Sequence, residues 1–85
     1  MENKKEIVKA LQNTLRLTRG LSHLELEYRE GFKAECGKYY SECVIIRDMC
    51  RYIDGYHVAV VGIVNVACDS GVALVRDVLK ALYFG

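Results

Sequence analysis

Apolar and polar positions change their period along this chain, and each change predicts an element. Ile7, Val8, Leu11, Leu15 and Thr18 recur every three or four residues, which is the spacing of one buried helical face. Asn3 precedes Glu6 by three positions, close to a capping box, and Gly20 stands where a helix can end on a left-handed residue. The pattern predicts an amphipathic helix over 3–19. From Leu24 the period becomes two. Leu24, Leu26 and Tyr28 alternate with Glu25, Glu27 and Arg29, as on a strand with one face in water. Gly31 and Gly37 bracket Phe32–Cys36, which reads as a loop or a short second strand.

Residues 42–53 are rich in Val, Ile, Cys and Tyr and run into Asp54-Gly55, a strong hairpin signal that would set Tyr52 opposite His57. Val58, Val60, Val61, Ile63, Val64 and Val66 follow, a β-branched density that favours a buried strand. Asp69-Ser70-Gly71 offers capping residues for a last helix over 70–83. Its apolar side is Val72, Val75, Leu79 and Leu82, with Arg76, Asp77 and Lys80 opposite. The expected fold is a single α+β domain, residues 1–85, in the order α-β-β-β-α. It has a small antiparallel sheet of about three strands between N- and C-terminal helices. A competing pattern exists. Cys36, Tyr39, Cys43, Ile46, Cys50 and Ile53 keep a heptad-like 3-4-3-4-3 spacing, which would suit a helix over 39–53 or one long central helix over 22–54.

Composition narrows the function classes. Apolar residues are 52% of the 85 and charged residues 27%, so a packed core is within reach and disorder is not expected. A chain this short is a marginal folder alone, and self-association as a homodimer is the expectation. The opening residues lack the apolar core of a signal peptide. The longest uncharged run, the fourteen residues Gly55–Cys68, is too short to span a bilayer as a helix. A cytoplasmic protein with reduced thiols, and no membrane partner, follows as the expectation.

The formal net charge of +1 hides an asymmetry. The first 22 residues carry five Lys and Arg against two Glu, a local +3, which leaves −2 for the rest. Lys5, Lys9, Gln12, Arg16 and Arg19 recur at 4-3-4-3 spacing and share one helix face, which could lie along a phosphate backbone.

Other chemistry is thinly supported. Cys36, Cys43 and Cys50 stand seven apart, unlike the close knuckles of a zinc site, and neither metal nor cofactor is expected. A thiol site around Cys50, His57 and Cys68 can be drawn, but nothing flanks it like an oxyanion loop, so no catalytic residue is assigned. The glycines match no phosphate-binding motif. Six tyrosines in 85 residues suit contact surfaces better, with Tyr39, Tyr40, Tyr52 and Tyr56 flanking the central hairpin.

The run Asn65-Val66-Ala67-Cys68-Asp69-Ser70-Gly71-Val72-Ala73-Leu74, a strand feeding a turn and a last helix, resembles short proteins of phages and other mobile elements. The whole α-β-β-β-α plan is similar to that of some small anti-CRISPR inhibitors. That resemblance implies an inhibitor that occupies a surface of a host protein such as a CRISPR nuclease. The expected function is thus a non-enzymatic protein-interaction module, with Glu25, Glu27, Tyr39, Tyr40, Tyr52 and Tyr56 as contact residues. The alternative is a small nucleic-acid-binding protein using Lys5, Lys9, Arg16 and Arg19.

Overall fold

A computed structural model describes residues 3–53, 57–68 and 70–84, with 51–53, 57–59 and 84 described through their backbone. The order is α1 (Lys4–Thr18), β1 (Leu24–Lys33), β2 (Tyr39–Ile53), β3 (His57–Asn65) and α2 (Gly71–Leu79), whose last turn widens into a π-helix over Lys80–Phe84. The strands form one antiparallel sheet in the order β1-β2-β3. The α-β-β-β-α plan expected from the periodicity is the fold.

Local chemistry sets the boundaries. Asn3 caps α1 by accepting the Glu6 N–H at 2.9 Å. Gly20 takes φ +66° and turns the chain, so that the Leu21 N–H returns to the Leu15 carbonyl. Lys33 marks the end of β1, so Phe32 belongs to that strand and the connection is 34–38, with Gly37 at φ +94°. The segment 32–36, read as a loop or a short second strand, is therefore neither throughout: Phe32 and Lys33 end β1 and the connection starts two residues later.

Both helices cover one face of the sheet, α1 over β1 and α2 over β3. Their core joins Val8 and Leu15 of α1 to Leu24, Leu26, Val44, Ile46 and Val64 of the sheet, and to Val75 and Leu79 of α2. The opposite face has its own small cluster. Cys43 and Ile45 pack there with Ala34, Tyr40, Phe32 and Ile63. The centre of β2 is thus buried on both sides, with Cys43, Val44, Ile45 and Ile46 all at 0–1% exposure.

That double burial corrects the helical alternative. Of the heptad-like series, Cys43 and Ile46 lie in different clusters on opposite sheet faces, while Cys36, Tyr39 and Cys50 are exposed. No common seam exists, and neither a helix over 39–53 nor a long one over 22–54 forms.

Two register shifts bend the β2–β3 ladder, one between Ile46 and Arg47 and one between Asp48 and Tyr52. Tyr52 pairs with Val58 and Ile53 with His57, one residue off the Tyr52–His57 pairing expected from a two-residue turn. The Asp54-Gly55 pair and Tyr56 lie outside the described residues. Buried Asp48 stands at the second shift and accepts the Cys50 N–H at 3.0 Å. Tyr83, from the π turn, points its hydroxyl at the other Asp48 oxygen at 3.4 Å and sets its ring edge-on to His23. Tyr83 is therefore tucked onto the sheet.

The strand-to-helix step around Gly71 is tight. A Cβ on Gly71 would lie 2.3 Å from the Val66 Cα and 2.8 Å from its carbonyl carbon. Glycine is required there by close approach of two backbones. Ser70 is the N-cap residue but has helical rather than extended dihedrals and makes no side-chain capping bond; its hydroxyl sits against the Cys68 thiol at 3.4 Å. The other predicted capping residue, Asp69, lies outside the described residues.

Candidate functional site

Two helices lying side by side on a sheet leave a furrow between them. Here it is a groove of about 660 Å³, within the range of binding sites. Ile7, Ala10, Leu11, Thr14 and Leu15 line the α1 wall, with Glu6 and Arg19 at its two ends. Arg76, Leu79 and Lys80 line the α2 wall. The apolar face of α1 is wider than its core contact needs. Val8 and Leu15 are buried, Ile7 and Leu11 are half-buried, and Ala10 is exposed. Leu17 continues the row Ile7, Ala10, Thr14 at helical spacing and is 84% exposed. Arg76 and Lys80, both exposed, stand one turn apart and give the opposite wall a cationic rim. Leu15 and Leu79 carry the apolar stripes that the sequence shows. The meeting of the α1 and α2 flanks does not follow from periodicity within either helix.

The residues expected to touch a partner are divided among different surfaces. Glu25 is exposed on the sheet face away from the helices, and Glu27 there is bonded to Arg47 at 2.8 Å. Tyr39 is 64% exposed, whereas Tyr40 is buried against Cys43 and Ile45 beneath the Lys38 ammonium. Adjacent strand residues point to opposite faces, so this tyrosine pair cannot act as one anchor. The side chains of Tyr52 and Tyr56 lie outside the described residues.

The basic row is also divided. Lys5, Lys9, Arg16 and Arg19 are exposed, but Arg19 belongs to the groove. Gln12, in the middle of the row, faces β1. Its amide donates to the Leu24 carbonyl at 2.7 Å and accepts the Leu26 N–H at 2.6 Å. These are outward-facing edge groups. The Val66 N–H bonds to the Glu42 carbonyl, so alternation directs Glu42, Val44 and Ile46 toward β3 and leaves Leu24, Leu26 and Tyr28 facing out of β1. Gln12 thus bonds the start of the β1 edge, at Leu24 and Leu26, as a neighbouring strand would.

A polar cluster missed by the sequence reading closes the far end of the sheet. The Tyr28 hydroxyl donates to Glu42 at 2.6 Å and lies 3.3 Å from Glu30. Lys4 reaches the same Glu42 carboxylate at 3.3 Å and donates to the Val66 carbonyl. The Tyr28 bond holds the Glu42 carboxyl below its usual range, and the carboxylate pushes the Tyr28 phenol upward. These groups form one structural lock, tying α1 to β1, to β2 and to Val66 just past β3.

The thiols do not converge. Cys50 and His57 belong to one end of the sheet and Cys68 to the other, so the proposed trio has no common centre. Burial raises the Cys43 thiol, while the neighbouring Ser70 hydroxyl lowers Cys68. Among the described residues, no three His, Cys, Asp or Glu side chains gather as metal ligands, and no helix is long and apolar enough to cross a membrane. No family model, no curated protein and no solved structure matches the chain.

Proposed function

We propose that this chain is a non-enzymatic protein-interaction module of phage or mobile-element type. It acts by covering a surface of a host defence protein, such as a CRISPR nuclease, in the cytoplasm. The observation that carries the reading is the α1–α2 groove, with an unfilled apolar wall and Leu17 standing beside it. An apolar surface of this kind costs free energy in water, and its cover is the simplest account of it. The basic row supports a nucleic-acid reading less well, because Gln12 is committed to β1 and Arg19 to the groove.

The test compares tagged wild-type protein with an Ala10→Arg variant in a pull-down from the organism that carries the gene. A long charged side chain at this exposed helical position fills the groove without disturbing the core. A stoichiometric partner retained by wild type and lost by the variant is the expected result. A partner retained equally by both would contradict the reading.

The expected homodimer has a specific support of its own. The sheet has two edges; Gln12 bonds the start of β1's, and that strand also carries Glu25, Glu27, Arg29, Glu30 and Lys33. The β3 edge, His57–Asn65, carries no Lys, Arg, Asp or Glu. Ile63 and Asn65 turn their backbone groups outward, and Val60 is 46% exposed. Uncharged edges of this length invite pairing with another strand, and an identical copy meets it without charge repulsion.

A further inference from the structure

The two walls of the groove differ in chemistry, and the difference describes its occupant. Resting on the interaction reading above, we propose that the groove receives an amphipathic helix from another protein, its apolar stripe on α1 and an acidic flank on α2. The α1 wall offers Ile7, Ala10 and Leu11, with Leu17 beside them, in the three-and-four spacing that a facing helix matches. The α2 wall offers Arg76 and Lys80, both exposed and one turn apart. Carboxylates four residues apart on the incoming helix would meet the two cations in register. From Glu6 to Arg19 the groove follows α1 for about 20 Å at the helical rise, the length of a helix of three to four turns.

The chain's own helices do not supply this occupant. α1 carries Lys4, Lys5, Lys9 and Arg16 against Glu6. The last turns of α2 present Arg76 and Lys80 themselves, so a second copy would bring cations to a cationic wall. Charge complementarity therefore selects an acidic partner of different sequence.

The test uses the full chain and a fluorescein-labelled helical peptide of about 16 residues, with leucines at helical spacing and glutamates along one flank. Its comparators are the same peptide with lysines for the glutamates, and a scramble that destroys the apolar stripe. The acidic amphipathic peptide should bind about tenfold or more tightly than the lysine version by anisotropy, and the scramble should not bind. An Arg76→Glu/Lys80→Glu variant should reverse the order of the first two. Ala10→Arg should abolish binding of both, although its charge alone would favour the acidic peptide. Unchanged far-ultraviolet dichroism would show that these exposed substitutions leave the fold intact.

Equal binding of acidic and lysine peptides, both lost in Ala10→Arg, would overturn the acidic assignment and leave the interaction reading standing. Failure of every helical peptide, while a natural partner is still lost by Ala10→Arg, would overturn the helix. Absence of any partner or peptide sensitive to Ala10→Arg would overturn the interaction reading itself.

Discussion

At the scale of single residues, two positions hold backbone to backbone. Gly71 lets the first turn of α2 approach the Val66 main chain, where a methyl group would stand 2.3 Å from a backbone carbon. Gly71→Ala should cost about 2 kcal/mol as α2 is forced away, read as a lower urea midpoint with unchanged slope. Gln12 satisfies one carbonyl and one N–H of β1 together. Gln12→Ala should cost about 2 kcal/mol, and Gln12→Glu should also destabilise, because a carboxylate cannot donate to the Leu24 carbonyl. The Tyr28–Glu42–Lys4 lock makes stability depend on pH at both ends. Glu42 is depressed in the folded state, so its contribution is present above the carboxylate's ordinary pKa and fades as pH falls through the depressed value. Tyr28 is raised, so its contribution is present below the ordinary phenol pKa of about 10 and is lost as pH climbs through the raised one. Tyr28→Phe should flatten both limbs of a melting-temperature profile, and a profile identical to wild type would rule the lock out.

At the scale of elements, legibility followed how many faces each segment buries. α1, β1 and α2 each have one apolar side, and their periods of 3.6 or two stand out in the sequence. β2 is buried on both faces at Cys43–Ile46, so its alternation vanishes and a helical spacing can be traced through it. The register shifts after Ile46 and Asp48 leave no mark in composition, and the pair nearest the turn is Ile53–His57 rather than the expected Tyr52–His57. Buried Asp48 and its Tyr83 partner lie far apart in sequence, and only the closed fold brings them together. The edge strands lead to a prediction at this scale. With β1 charged and bonded at its start by Gln12, and β3 uncharged, light scattering should give a dimer mass. Val60→Lys should shift it to the monomer, because a charge on the edge opposes strand pairing. A monomeric wild type at all concentrations would contradict the edge pairing.

At the scale of the whole molecule, the sheet has one covered face and the helices leave a groove between them. The candidate contact residues read from the sequence, Glu25 and Glu27, lie on the far side of the sheet from that groove. This was not legible, because periodicity assigns faces within an element and says nothing about which flanks meet. Arg76 and Lys80 showed only as the polar side of α2 until α1 was placed beside them. The two surfaces can be separated in one measurement. A photo-crosslinking residue is placed at Ala10 in the groove, or at Glu25 on the sheet, and irradiated in lysate of the organism that carries the gene. The groove account predicts one saturable cross-linked partner from position 10 and none from position 25. A partner captured from position 25 with nothing from position 10 would contradict it.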